Sequence, residues 1–206
     1  MHIGALTDKQ LSLLPYLSRF KRSFYLVGGT AIALHIGHRR SVDFDLFSRS
    51  GLNKKLIRNK LSGIPFKITR LSEDTDQIHF LINNIKVTFF NFPFSIDHPL
   101  RLESSLTIPS LLTLASMKAY ALGRRAKWKD YVDLYHIIRN FHTIEEISAE
   151  AISKFGELYS EKLFREQLAF HKDIDYSESV EFLTPAPSEQ EIKRFLIDRA
   201  IDIGIG

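Results

Sequence analysis

The sequence predicts an α+β fold, in which a mixed sheet with flanking helices is followed by a bundle of helices. Two observations favour it. In the first half, short apolar runs typical of strands alternate with segments whose apolar residues recur at helical spacing. From about Ile108 onward only the helical spacing remains. We therefore expect an α/β core over 1–105 and a helical domain over 106–206.

The composition is that of a globular protein with a substantial core. The chain has 206 residues, of which 44% are hydrophobic and 25% charged, and its net charge is +4. The absence of cysteine excludes disulfides and thiolate metal sites. No apolar run approaches the roughly 20 residues that span a bilayer, and the N-terminus does not resemble a signal peptide. We expect a cytoplasmic protein without a membrane segment, whose mild basicity is compatible with a polyanionic partner.

Each element has a local reason. Thr7 or Asp8 can cap the first helix, Gly37 can end the second, Asn83-Asn84 is typical of a hairpin turn, and Pro109 suits a first helical turn. The strands are expected at 24–27, 43–47, 66–71, 78–82 and 85–92. The helices are expected at 7–20, 30–36, 52–61, 109–124, 130–141, 143–155, 161–171 and 188–203, with an acidic loop at 173–187.

The strand at 43–47 carries the most informative pattern. Because side chains alternate along a strand, Val42, Phe44 and Leu46 are expected to face a core while Asp43 and Asp45 share the other face. Two carboxylates so near each other repel unless a cation lies between them. Mg²⁺ binds carboxylate oxygens and phosphate oxygens at the same time. The plainer alternative is a strand with one solvated face.

The glycine pair upstream indicates a phosphate site. Gly28 and Gly29 permit close backbone approach, and the helix start at Thr30 offers N–H groups to an anion, although a plain strand-to-helix turn is the alternative. Arg39 and Ser41, just before the carboxylates, can hold phosphate oxygens or form an exposed basic turn. Together with the carboxylates they predict a site for a metal-bound nucleoside triphosphate (NTP).

Two separated motifs resemble a known family. The glycine pair followed by Asp43-x-Asp45 resembles the nucleotidyltransferase superfamily that includes DNA polymerase beta. The segments Lys118–Arg125 and Lys129–Tyr135 resemble AbiEii/AbiGii-type nucleotidyltransferases, the toxin half of many bacterial toxin–antitoxin pairs. The resemblance covers about residues 20–140. It implies a polymerase beta-like core and a C-terminal domain that completes the active site.

The resemblance also implies an activity, the transfer of a nucleoside monophosphate from an NTP to an acceptor hydroxyl. Asp43 and Asp45 would hold Mg²⁺, and Lys118 would contact the phosphates. Asp133 would help activate the acceptor, and Asp130 is the weaker candidate for this role. The acceptor would be the 3′ end of a tRNA or another RNA, and an antitoxin protein would be a partner. The alternatives are a surface lysine at 118 and a plain helix N-terminal carboxylate at 130.

One departure favours a second hypothesis. The superfamily usually supplies a third metal carboxylate from a later strand, and the matching segment Ile85–Phe90 has Thr88 there. The chain is then expected either to work with Asp43, Asp45 and Asp133, or to be a catalytically degenerate nucleotide- or RNA-binding module.

The remaining polar segments carry weaker expectations. Lys54–Lys60 and Arg124–Lys129, the latter with Trp128, can guide an RNA backbone or form solvated faces. His79 and His98 are expected to be plain surface or strand residues.

Overall fold

The computed structural model describes residues 1–102, 105–122 and 124–202, and it divides the chain into two compact units, 1–110 and 111–206. The division falls after Ser110 rather than after 105. A two-stranded sheet that pairs Leu100–Leu102 (β6) with Leu106–Ile108 (β7) keeps residues 106–108 in the first unit. These strands were not predicted, because each alternates over only three residues and has no continuous apolar run such as that of β1.

The remaining elements of the first unit follow the predicted order. They are α1 (Asp8–Leu17), β1 (Tyr25–Val27), α2 (Gly28–Ile36), β2 (Phe44–Ser48), α3 (Lys54–Leu61), β3 (Ile68–Glu73), β4 (Gln77–Ile82) and β5 (Ile85–Asn91). Thr7 and Gln10 form a capping box at α1, and Gly37 ends α2 in the left-handed conformation. Helix α2 begins at Gly28, so the glycine pair forms its first turn instead of preceding it.

The large sheet has the strand order β1-β2-β5-β4-β3. Strand β2 runs parallel to β5, whereas the other neighbours are antiparallel, so the sheet is mixed as predicted. Asn83 and Asn84 join β4 to β5 with φ of 53° and 65°, the left-handed pair that a tight hairpin requires. The predicted hairpin is therefore confirmed.

The two faces of the sheet differ in chemistry. Phe44 and Leu46 of β2 are fully buried on one face, and Phe89 of β5 is buried with them. Asp45 lies on the opposite face. The expectation for Val42 is wrong: it is 46% exposed, because β2 begins only at Phe44 and the alternation does not extend back to it.

The second unit is helical, as predicted. Its helices are α4 (Leu111–Leu122), α5 (Trp128–Asn140), α6 (Ile144–Phe155), α7 (Glu161–Ala169) and α8 (Glu189–Ile201). Thr143 and Glu146 form a capping box at α6, and Ser188 caps α8. The predicted end of α8 at Ile203 lies outside the described residues. Within the described parts of the chain, no helix has both the length and the apolar character needed to cross a membrane.

Candidate nucleotide site

The first turn of α2 lies directly against the carboxylate strand. Val27 pairs with Asp45 across β1 and β2, which brings Gly28 beside the Asp45 carboxylate. Gly28 has φ of +73°, and a Cβ at this position would overlap the Asp45 side chain. Asp43 and Asp45 are both half-buried. The sequence-predicted glycine and carboxylate are thus neighbours.

Gly29 makes room for a buried arginine. A Cβ there would lie 2.5 Å from Arg39 Nη2 and 3.1 Å from Ser41 Oγ. Arg39 is only 1% exposed, and its Nη1 donates to the carbonyl of Arg40 at 3.0 Å. The alternative of an exposed basic turn is therefore wrong for Arg39: its charge lies against the start of α2.

Thr30 ties the helix to the carboxylate strand. Its buried hydroxyl lies 3.0 Å from Ser41 Oγ and donates a short hydrogen bond to the carbonyl of Asp43. The Thr30 hydroxyl is thus engaged with the backbone just before β2. Thr30 and Ser41 fix where Asp43 is presented.

A polar row crosses the sheet beside Asp45. Asp45 pairs with Thr88 of β5, Thr88 pairs with His79 of β4, and His79 Nδ1 is hydrogen-bonded to Thr88 Oγ1 at 3.0 Å. Burial lowers the pKa of His79, nearby Lys86 lowers it further, and the charges of Asp45 and Asp74 oppose both effects. A neutral imidazole therefore adjoins Thr88 at neutral pH.

His79 is the residue that sequence reasoning missed. It was expected to be a plain strand or surface histidine, yet it contacts the position at which the third carboxylate is absent. The hairpin register contains the signal, because the Asn83-Asn84 turn pairs Ile82 with Ile85 and so places His79 opposite Thr88.

The donor set fits a divalent cation that also binds phosphate. Among the described residues no group of three or more histidine, cysteine or acidic side chains is placed to hold a metal ion. Mg²⁺ is commonly bound by one or two carboxylates, with water and substrate phosphates completing its coordination. Asp43 and Asp45 supply that pair, and Gly28 leaves the space beside Asp45 open.

In the second unit, Lys118 is held by both candidate carboxylates of α5. Its Nζ lies 2.9 Å from Asp133 Oδ2 and forms a shorter ion pair with Asp130 Oδ1. Arg125 Nε donates to the other Asp130 oxygen at 3.2 Å. Lys118, Asp130 and Asp133 are all nearly inaccessible. The surface alternative for Lys118 is therefore wrong.

The two basic segments are largely neutralised by nearby groups. In α3, Lys54 and Arg58 both pair with Glu73, at 3.6 and 3.1 Å. In the second unit, Glu178 of the acidic loop pairs with Lys129 at 3.1 Å and more closely with Lys127. These lysines lower the pKa of Glu178 to about 2. Neither segment presents a run of unpaired cations.

The acidic loop is anchored to the segment before α5. The amide of Asp175 donates to the carbonyl of Ala126 at 2.7 Å, and the amide of Trp128 donates to the carbonyl of Asp175 at 3.0 Å. The ring of Tyr176 lies 5.4 Å from that of Trp128. Trp128 thus packs within its own unit.

Comparison with known proteins relates part of the first unit to one family model. Residues 13–94, which include the glycine pair, both carboxylates and Thr88, match the family model described as "Nucleotidyl transferase AbiEii toxin, Type IV TA system". An uncharacterized protein of Aquifex aeolicus (strain VF5) is 31% identical over 120 residues. That match covers 56% of this chain and 58% of the relative, so it spans little more than half of either protein.

Solved structures share the fold. MenT4, the nucleotidyltransferase toxin Rv2826c of Mycobacterium tuberculosis H37Rv, superposes with a TM-score of 0.65 and 15% identity, over 93% of this chain and 80% of its own. JHP933 of Helicobacter pylori superposes with a TM-score of 0.55 and 14% identity, over 94% and 88%. At such identities the likeness concerns the fold, and it confirms the predicted fold class.

The motif resemblance, the family match and the mixed sheet agree with one another. Residues 13–94 of this chain match the AbiEii nucleotidyltransferase toxin family model, and they lie within the unit that holds the mixed sheet.

Proposed function

We propose that this protein is a Mg²⁺-dependent nucleotidyltransferase that moves a nucleoside monophosphate from an NTP to the 3′-terminal hydroxyl of a tRNA. We further propose that it is the toxin of a toxin–antitoxin pair, with an antitoxin protein as its partner. The observation that carries the transferase proposal is the contact between Gly28 and the Asp45 carboxylate. It combines a helix N-terminus, which attracts phosphate, with a carboxylate pair, which attracts a cation.

The residues of the first unit divide the work of binding. Asp43 and Asp45 would hold Mg²⁺, whose charge stabilises the α-phosphate and the departing pyrophosphate when it is bound. The backbone N–H groups of Gly28 and Gly29 bind phosphate oxygens, and the buried charge of Arg39 strengthens the positive potential there. Thr30 and Ser41 keep the carboxylate strand in place.

The second unit supplies the remaining groups of the proposal. The acceptor oxygen forms a bond to the α-phosphorus as the bond to pyrophosphate breaks, and the hydroxyl proton passes to a carboxylate, for which we propose Asp133. Lys118 offsets negative charge on the phosphates. Its ion pairs with Asp130 and Asp133 support a shared role of these three side chains.

Thr88 favours a second candidate function. In this second candidate function, the domain lacks the third strand carboxylate, binds a nucleotide or RNA and performs no transfer. The neutral His79 beside Thr88 provides no anionic replacement for that carboxylate.

The deciding experiment supplies each of the four α-³²P-labelled NTPs with Mg²⁺ to total tRNA and, separately, to a protein extract. Label on tRNA supports the proposal and identifies the nucleotide. Label on protein alone would overturn the tRNA assignment. NTP binding without label transfer, from folded protein, would support the binding module instead.

A further inference from the structure

A second pocket of about 230 Å³ lies in the first unit beside the nucleotide site. Three chain segments form it: residues 21–25 before and within β1, residues 49–50 after β2, and residues 94–96 and 98 after β5. None of these segments belongs to the phosphate-binding turn or to the carboxylate pair. The function proposed above therefore assigns this pocket no residue or ligand.

The pocket is positively charged. Lys21, Arg22 and Arg49 line it, and no acidic side chain does so among the described residues. Arg22 and Arg49 are exposed and, within the described parts of the chain, form no hydrogen bond or ion pair. Lys54 and Arg58 of α3, in contrast, both form an ion pair with Glu73. Unpaired guanidinium groups at a concave site are suited to bind phosphate.

One wall of the pocket is an ordered aromatic stack. The rings of Tyr25 and His98 are 4.5 Å apart and within 11° of parallel. His98 Nδ1 is hydrogen-bonded to Thr107 Oγ1 at 2.9 Å, which fixes the plane of the imidazole, and His98 is exposed. A flat, fixed and accessible ring favours stacking of a nucleobase.

Tyr25 also carries an unused hydrogen-bonding group. The residue is 4% exposed, and its hydroxyl has no hydrogen-bond partner within the described structure. Burial raises the pKa of Tyr25 well above its usual value, so the hydroxyl stays neutral and able to donate. A buried hydroxyl without a partner is unfavourable, and a ligand oxygen would relieve that cost.

The register places Tyr25 of this pocket on the same face of the sheet as Asp45. Tyr25 pairs with Phe47, and Val27 pairs with Asp45. Residues two apart in a strand point to the same side and are about 7 Å apart, so Tyr25 shares the face of Asp45 and lies one step further along the sheet. A chain bound at the carboxylates can extend into the pocket.

We propose that this pocket binds a nucleotide of the acceptor RNA strand upstream of its reacting 3′ end. Arg22 and Arg49 hold a phosphodiester, and the base stacks on His98. The inference rests on the proposed function, because it assigns part of the same substrate to a site outside the carboxylate pair.

The test measures binding of a fluorescein-labelled single-stranded RNA of about twelve nucleotides, a length within the span of typical single-strand sites. In the Arg22→Gln/Arg49→Gln variant we expect at least a tenfold loss of affinity in low salt. The slope of log affinity against log salt should become shallower by about 0.7, because the two arginines together neutralise one phosphate of the single strand. The matched control, Lys9→Gln/Lys67→Gln, removes two exposed positive charges that do not line the pocket.

Tyr25→Phe separates binding from folding. We expect a severalfold weaker affinity for the RNA and a melting temperature no lower than that of the unmodified protein, because the lost hydroxyl has no partner in the described structure. Unchanged RNA affinity of both Tyr25→Phe and the double arginine variant would overturn the proposal. So would equal losses in the arginine variant and its lysine control.

A parallel titration with AMP distinguishes an RNA strand from a free nucleotide. Loss of AMP binding with unchanged RNA binding in the arginine variant would overturn the RNA assignment. The proposed function is tested separately by label transfer, which requires Asp43 and Asp45. If no label is transferred, the proposed function fails but the RNA-binding result is unaffected. The RNA affinity of the pocket variants is measured without turnover.

Discussion

Gly28 and Gly51 have nearly the same backbone conformation but different surroundings. Their φ angles are +73° and +76°, yet a Cβ would meet the Asp45 carboxylate at Gly28 and nothing within 4 Å at Gly51. Gly28→Ala should therefore lose nucleotide transfer, whereas Gly51→Ala should keep it. Backbone strain alone should lower the free energy of unfolding of each variant by about 1–3 kcal/mol. The melting temperatures measure this strain, which both variants share, whereas the difference in activity measures the contact with Asp45. Equal activities would contradict the role given to Gly28.

Thr88 offers a test of the missing carboxylate. Thr88→Asp places a third negative charge beside Asp45, so the metal-free protein should be less stable than Thr88→Asn, which has the same shape without the charge. Mg²⁺ at about 100 times its Kd should then add about 2.7 kcal/mol of stability to the protein that binds it. The measurement is thermal unfolding with and without MgCl₂. A response to Mg²⁺ no larger in Thr88→Asp than in Thr88→Asn would argue against a metal at Asp45.

At the scale of single residues, the sequence predicts the position of a side chain where that position follows from local spacing. The alternation in 43–47 placed Asp45 opposite Phe44, and the glycine pair lies where a close approach requires it. It did not predict that Arg39 is buried or that His98 stacks on Tyr25, because the partners are far apart in the chain and only the fold brings them together.

At the scale of elements, the ion pairs of Glu178 add to the backbone hydrogen bonds that hold the loop before α8 in place. Glu178 pairs with Lys127 and Lys129, and these lysines hold its pKa near 2, below its usual value. A carboxyl group with a lowered pKa stabilises the folded loop above its unfolded pKa of about 4.5. That contribution is lost as the pH falls from there through about 2.

Trp128 is the chain's single tryptophan and packs against Tyr176 of this loop, so its fluorescence reports on the loop. Glu178→Gln should change the emission at neutral pH, while the unmodified protein should change only as the pH approaches 2. Glu157→Gln, in another exposed segment of the same unit, should change nothing. Identical acid titrations of Glu178→Gln and the unmodified protein would contradict the contact.

The buried cluster that joins α4 to α5 makes a different prediction. Lys118→Met leaves Asp130 and Asp133 without the ammonium between them, which should lower the free energy of unfolding by about 3–5 kcal/mol. Lys162→Met removes an exposed lysine that lies 3.9 Å from Glu166 and should cost less than about 1 kcal/mol. Urea denaturation measures both. Similar costs would show that the cluster is not a buried ion network.

Element prediction succeeded where periodicity was long and failed where it was short. The amphipathic helices and the Asn83-Asn84 hairpin follow from patterns of eight or more residues. The strands β6 and β7 have three residues each and depend on their mutual pairing, which no local pattern encodes. The exposed Val42 shows the same limit at the end of a strand.

At the scale of the whole molecule, the candidate residues of the two units differ in their burial. Asp43 and Asp45 are only half-buried, so neutralising them should not unfold the protein. Lys118 and Asp133 are buried and paired, so changes there should affect folding and transfer together. A loss of function caused by chemistry is therefore most clearly seen in the first unit.

The most direct measurement is the rate of label transfer by Asp43→Asn/Asp45→Asn, made beside its melting temperature and beside the control Asp8→Asn. The account predicts at least about a hundredfold loss of transfer, as for removal of a group that stabilises transition-state charge, with a melting temperature no lower than that of the unmodified protein. Asp8→Asn should transfer normally. Transfer at the unmodified rate by the folded double variant would contradict the assignment of Asp43 and Asp45 as the centre of the reaction.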